Sequence, residues 1–302
     1  MPSWNDIIKE IGAQPNAFDH IRRKYLKQLA EYTDRNLIVY YSGWLQKGQL
    51  ARQGIRFDIH DADKMGFMSS IKGLDRTKGL DLILHTPGGS IGATESIVHY
   101  LRSIFGTDIR AIIPQIAMSA GTMIACSCKE IIMGKHSNLG PIDPQINGMP
   151  THGIIEEFER AKKEISANPR SIPVWQTVLA KYSPTLIGEC EKAIKWSEEM
   201  VSEWLKTGMF EADADKDNKV NQVISELGSH ALTLSHDRHL PIDILKDKLG
   251  LNIQLLEEDG DFQDAVLSAH HSCIITLTQT PAYKLIENHK GKAFIQMATA
   301  GQ

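Results

Sequence analysis

Short, nearly continuous apolar runs alternate with stretches of helical period along the first half of the chain. Residues 17–33 place Phe18, Ile21, Tyr25, Leu29 and Tyr32 on one stripe, which predicts an amphipathic helix. Leu37 to Tyr41 is short, β-branched and aromatic, and predicts a strand. Asp61 opens a predicted helix that runs to about Lys72 and is closed by Gly73. Leu80 to Leu84 predicts a second strand, and Ser90 then opens a helix carrying Ile91, Ile97, Val98 and Leu101, ending near Gly106. A third strand is predicted over Ile109 to Ile116, a short apolar helix from Ser119 to about Cys126, and a fourth strand over Glu130 to Gly134. Apolar strands alternating with helices imply repeated βαβ units, hence an α/β fold whose parallel sheet is covered on both faces.

After Asn147-Gly148-Met149-Pro150 the texture changes. Residues 153–167 and 184–228 are helical in period, the latter as one long helix or a helical pair, with breaks at Asn168-Pro169 and Ser183-Pro184. A helix near 243–249, a strand over 252–256, a helix near 262–271 and two strands around His289-Lys290-Gly291 complete the pattern. The expected organisation is an α/β core over residues 1–150 and a helical extension over 151–302 whose C-terminal strands pack on that core.

Composition narrows the function classes. The 33 Lys and Arg against 37 Asp and Glu give a net charge of −4, so no global basic field points to nucleic acid. No window approaches the roughly 18 apolar residues of a membrane span, and the amino terminus lacks the pattern of a signal peptide. A soluble, cytoplasmic chain is the expectation. Cys126, Cys128, Cys190 and Cys273 are irregularly spaced, as suits reduced, buried thiols. Neither they nor the pairs His236/His239 and His270/His271 match a metal-ligand template, and no Gly-x-Gly-x-x-Gly loop is present. No metal or cofactor is expected.

The candidate chemistry sits at two predicted strand ends. One carries His85-Thr86-Pro87-Gly88-Gly89, the next Met118-Ser119-Ala120-Gly121. Parallel sheets place ligands beyond the carboxyl ends of their strands. Gly88, Gly89 and Ala120 are candidate oxyanion-hole residues, because glycine turns and helix starts offer free N–H groups at close range. Ser119 is the candidate nucleophile. Taken singly, Ser119 is a helix cap and the glycines a tight turn. Jointly they point to acyl transfer by a serine hydrolase, and to a peptidase first.

The pairing of Pro-Gly-Gly-Ser after one strand with Ser-Ala-Gly opening the next helix resembles the Clp protease and signal peptide peptidase superfamily, which has a crotonase-like spiral fold. More closely, Leu84-His85-Thr86-Pro87-Gly88-Gly89, Pro114-Gln115-Ile116-Ala117-Met118-Ser119-Ala120-Gly121-Thr122 and Leu139-Gly140-Pro141-Ile142-Asp143-Pro144-Gln145 resemble the serine dehydrogenase proteinase family. The stretches Lys181-Tyr182, Glu189-Cys190-Glu191 and Glu287-Asn288-His289 are consistent with it. The resemblance implies Ser119 as nucleophile and Gly89 with Ala120 as oxyanion donors.

It leaves the base open. Clp proteases carry a histidine after the strand that follows the nucleophile helix. The matching stretch here, His136 to Pro144, has Ile142 or Asp143 near that position. Signal peptide peptidases use a lysine from a later helical segment, which makes Lys181 a candidate. His236 and His85 are the rival bases, and Asp143 either orients a histidine or caps the turn before Pro144. The expected substrate is a peptide or protein bound by backbone pairing. Relatives of the fold assemble into rings or dimers, so a homo-oligomer is expected by analogy. The competing readings are a crotonase-type acyl-CoA enzyme and a catalytically silent peptide-binding scaffold. An α/β-hydrolase ranks last, because Ala117-Met118-Ser119-Ala120-Gly121 lacks the first glycine of Gly-x-Ser-x-Gly.

Overall fold

A computed structural model describes residues 4–12, 17–228 and 235–298. In chain order it has α1 (Trp4–Gly12), α2 (Ala17–Thr33), β1 (Asn36–Ser42), α3 (Trp44–Lys47), α4 (Asp63–Ile71), β2 (Leu80–His85) and α5 (Ile91–Phe105). Then come β3 (Ile109–Ile113), β4 (Ile116–Ala117), α6 (Ala120–Cys126), β5 (Glu130–Met133), β6 (Asn138–Leu139), β7 (Gln145–Ile146) and β8 (Met149–Pro150). The second half adds α7 (Thr151–Ala167), α8 (Ile172–Leu179), α9 (Leu186–Thr207), α10 (Lys216–Gly228), β9 (Ile253–Leu255), α11 (Gly260–Gln279), β10 (Ala282–Asn288) and β11 (Ala293–Met297).

Among the described residues, seven strands form one sheet in the order β11-β10-β1-β2-β3-β5-β9. Pairing from β1 through β9 is parallel, while β10 runs antiparallel to both β1 and β11. The strands β9, β10 and β11 from the second half are thus hydrogen-bonded members of the central sheet. Every residue of β1 and β2 is buried, as two covered faces require. One face packs Leu82, Leu84 and Ala111 against α4, α5, α6, α9 and α10. The other packs Val39, Ile83 and Ile112 against α1, α2 and α11.

The expected third strand is broken. It ends at Ile113, and β4 begins at Ile116 and pairs with β6 instead of the main sheet. Pro114 has no N–H to continue a central ladder, so the chain leaves the sheet there. The helical stretch of 184–228 is the pair α9 and α10. The helix expected to stop near 271 runs on to Gln279 as α11. Its β-branched end is held by tertiary burial of Ile275 and Leu277, and the Thr276 and Thr278 hydroxyls donate to carbonyls four residues back.

Candidate active site

The break after Ile113 carries Ser119 to the glycine turn. The Thr86 N–H donates to the Ile116 carbonyl at 3.3 Å, and the Met118 N–H to the Thr86 carbonyl at 3.0 Å. The two special turns, about 30 residues apart in the chain, are therefore stitched side by side. A Cβ placed on Gly121 would stand 2.5 Å from the Thr86 methyl, so the helix can approach this closely only with glycine there. At Gly88, whose φ is +98°, an added Cβ would lie 2.6 Å from the Ser119 Cβ and 3.1 Å from the Ala120 nitrogen.

Ser119 has φ +51° and ψ −115°, a conformation that costs a non-glycine residue about 1–3 kcal/mol. Its side chain makes no capping hydrogen bond to α6. The bland reading as a helix cap therefore does not describe this serine. The serine instead sits half-buried on a strained backbone at the tip of a strand-to-helix turn. Gly89 is in a parallel bridge with Ile59: the Ile59 N–H donates to the Gly88 carbonyl at 2.7 Å and the Ser90 N–H to the Ile59 carbonyl at 2.9 Å. Alternation along an extended segment then aims the Gly89 N–H at the opposite edge, away from Ile59. The Gly88 N–H is already taken by the Thr86 hydroxyl at 3.1 Å, so Gly88 serves close approach, and Gly89 and Ala120 carry the donors that remain.

Ser119 and the Gly88–Gly89 turn line a cavity of about 460 Å³ that His236 also lines. His236 Nδ1 lies 3.0 Å from Asp143 Oδ1, with Asp143 fully buried and the imidazole 16% exposed. Residues 93 apart in sequence meet here because Leu139 and Leu240 form an antiparallel bridge. Four residues beyond Leu139 is Asp143, and four before Leu240 is His236, so antiparallel register sets them opposite one another. The Ile142 N–H to Leu227 carbonyl bond at 2.8 Å and the Ser197 hydroxyl on the Ile142 carbonyl at 3.2 Å fix the same loop from α10 and α9. Thr122 of α6 is bonded to Gly140 through both N–H and carbonyl, which ties the serine helix to the loop bearing Asp143.

The other candidate bases lie elsewhere. Lys181 is exposed in the turn after α8 and is not among the residues lining the Ser119 cavity. His85 shares its β2 face with Ile83, opposite the face of Leu82 and Leu84, and points toward α11. Its ring packs at a tilt against Trp44, with centroids 4.5 Å apart, and lies 5.7 Å from His270. Neither of its nitrogens has a hydrogen-bond partner among the described residues. Burial pulls its pKa down to about 3. His270, whose Nδ1 lies 2.9 Å from the Tyr41 hydroxyl, is also held well below the usual range, first by burial and then by His85.

Those two rings give a pH dependence of stability. Both stay neutral in the fold, whereas in the unfolded chain each takes up a proton near 6.5. The unfolded state binds more protons below that value, so stability is retained above about 6.5 and lost as pH falls below it, by about 1.4 kcal/mol per pH unit for each histidine, until for His85 the folded-state value of about 3 is reached. Urea unfolding between pH 7 and 4.5 should show this slope, and His85→Leu should remove one histidine's share of it. A slope unchanged by that substitution would contradict the assignment.

Some walls of the cavity were not legible as site residues. Trp196 of α9, 42% exposed, and Asp58 line it, and the Trp196 ring closes on Gly92 at the start of α5. An exposed tryptophan on an amphipathic helix was the available signal for Trp196. Asp58 gives none, since its segment has no periodicity. A larger cavity, about 720 Å³, opens at the other end of β1 between Arg23, Arg35, Lys78 and Lys290. Its arginines and Lys78 are already paired with Glu287, Asp81, Asp108 and Asp34, and it is remote from the strand ends where the serine turn lies.

The mixed α/β fold with its mostly parallel central sheet is consistent with a ClpP-like α/β fold, and it places a strained serine beside a glycine turn, at a cavity that a carboxylate-paired histidine also lines. The sequence matches the family of ClpP-like SDH-type serine proteinases over residues 14–257, and the chain belongs to that family. It is similar to two proteins of Methanocaldococcus jannaschii. Uncharacterized protein MJ1495 is 36% identical over 174 residues, 58% of this chain and 51% of that protein. Uncharacterized protein MJ0137 is 36% identical over 102 residues, 34% of this chain and 35% of that protein. The chain thus spans about half or less of the length of these relatives. No helix among the described residues is long and apolar enough to cross a membrane.

Proposed function

We propose that this protein is a serine peptidase with a crotonase-like catalytic core, in which Ser119, His236 and Asp143 act as a triad. The observation that carries the proposal is the 3.0 Å contact between His236 Nδ1 and the buried Asp143, at the cavity that Ser119 lines with an uncapped hydroxyl. With Nδ1 held by the carboxylate, Nε2 is the nitrogen left to accept a proton from the serine. Ser119 Oγ attacks the scissile carbonyl as His236 takes its proton. The carbonyl oxygen becomes an oxyanion held by the Gly89 and Ala120 N–H groups, and the start of α6 adds its positive end. Collapse breaks the C–N bond, the amine leaves with the proton from His236, and water hydrolyses the acyl-enzyme by the reverse proton path.

A peptide or protein substrate fits a cavity edged by the extended Gly88–Ser90 segment, which offers backbone pairing. Self-association belongs to the same reading, with Ile172 and Val174 of α8 as exposed apolar positions on a helix away from the sheet. Hydrolysis of fluorogenic peptides tests the triad. His236→Ala and Asp143→Asn should each lower kcat by about 10³- to 10⁴-fold with folding retained. Full turnover in both variants would remove His236 from the reaction and reopen the lysine reading.

A further inference from the structure

A fully buried ion pair lies behind the glycine turn. Lys284 on β10 and Asp63 at the start of α4 both have side chains with no solvent exposure. The ammonium donates to Asp63 Oδ1 at 2.9 Å, to Oδ2 at 3.0 Å and to the Asp58 carbonyl at 2.9 Å. Asp63 Oδ2 also accepts from the His60 N–H at 3.1 Å and from the Tyr40 hydroxyl at 2.8 Å. The pair therefore grips the backbone at residue 58 and at residue 60. Between them stands Ile59, whose N–H and carbonyl hold Gly88 and Ser90. The Ser42 hydroxyl donates to the Phe57 carbonyl at 2.7 Å and tethers the same segment from β1. The fit is tight: a Cβ on Gly89 would stand 2.3 Å from the Ile59 nitrogen.

We propose that Lys284 and Asp63 are positioning residues, which lock residues 58–60 as a clasp that aims the Gly89 N–H into the oxyanion hole. The inference rests on the peptidase reading for its catalytic consequence and on geometry alone for the clasp. Segment 57–59 lies outside the main sheet, so among the described residues no ladder beyond the Ile59–Gly89 bridge sets its height over the turn. A buried ion pair is a poor source of stability, because desolvation offsets most of the attraction and a packed apolar pair serves as well. What an apolar pair lacks is a donor for a backbone carbonyl and an acceptor for a backbone N–H. Here those two contacts fall on either side of the residue that pairs with the turn. Among the described residues, the side-chain hydrogen bonds of Lys284 and Asp63 run to one another, to the Asp58 carbonyl, to the His60 N–H and to the Tyr40 hydroxyl, and not to Ser119.

Lys284→Met alone strands a buried carboxylate, so the informative variant is Lys284→Met with Asp63→Asn, which leaves no net charge behind. Asp63→Asn by itself would strand the buried ammonium in the same way, so the milder second variant is Tyr40→Phe, which removes one donor to Asp63 and keeps both charges paired, and the same changes are expected at smaller amplitude. In the double variant the Ile59 and Ser90 amides should exchange with deuterium about tenfold faster or more, while global unfolding stays cooperative. Phosphonylation of Ser119 by a fluorophosphonate should slow by about tenfold or more, and kcat for a peptide should fall while KM moves little. Unchanged exchange at both amides would overturn the clasp. Faster exchange with full labelling would overturn its catalytic role. Wild-type protein inert to the probe would count against the peptidase reading instead, and the two amides would still decide the clasp.

Discussion

Ser119→Ala should lower peptide hydrolysis by about 10⁴-fold or more while leaving the fold intact, because it deletes the only atom that forms the acyl bond in the proposed reaction. The structural cost is expected to be small. The Ser119 side chain makes no capping bond, so its removal strands no partner there, and the urea midpoint should move by no more than about 0.5 kcal/mol equivalent. Ser119→Gly should be equally inactive yet more stable by about 1 kcal/mol or more, since glycine accepts φ +51° without strain. Activity and stability then move in opposite directions at one position, as expected where the backbone is held out of its preferred range to present a reactive group. Substantial turnover in Ser119→Ala would favour the acyl-CoA alternative, in which the oxyanion hole works without a nucleophilic serine.

Gly88→Ala is the second large effect. The added methyl would stand 2.6 Å from the Ser119 Cβ and 2.8 Å from the Met118 carbonyl oxygen, at a residue with φ +98°. Neither neighbour is the free end of a flexible side chain, so the turn itself must shift. Moving it separates the Gly89 N–H from the Ala120 N–H. Loss of one oxyanion donor corresponds to about 10²- to 10³-fold in kcat. The backbone strain adds roughly 1–3 kcal/mol of destabilisation. Steady-state kinetics with urea unfolding on the same preparation separates the two effects. A variant with wild-type kcat would show that the glycine turn does not contact the reacting carbonyl.

The parallel sheet was legible because its strands are buried on both faces and read as unbroken apolar runs, as Leu80 to Leu84 does. Both halves of the serine–glycine pairing were legible too, since each is local: a turn that only glycine can make and a serine at a helix start. The break at Pro114 was written in the sequence but was outweighed by the apolar residues on either side of it. The full length of α11 was hidden because Ile274-Ile275-Thr276 carries strand propensity, and only packing against α2 makes it a helix. The proposed partner of the serine was the least legible. His236 and Asp143 were each candidates, but their meeting depends on the Leu139–Leu240 bridge, a contact between segments about 100 residues apart with no periodic signature. The same holds for Lys284 and Asp63, which look like ordinary surface charges until the fold buries them. Local chemistry is readable from the chain; pairing across the sheet is set by topology.

The most direct measurement is peptide mapping, by mass spectrometry, of folded wild-type protein treated with a fluorophosphonate. A single adduct on Ser119, formed quickly in the wild type and nearly lost in His236→Ala, is the result expected of a serine whose hydroxyl is activated in an oxyanion-holding notch. An adduct on another residue, or none while the protein stays folded, would contradict the assignment of this site to peptide hydrolysis.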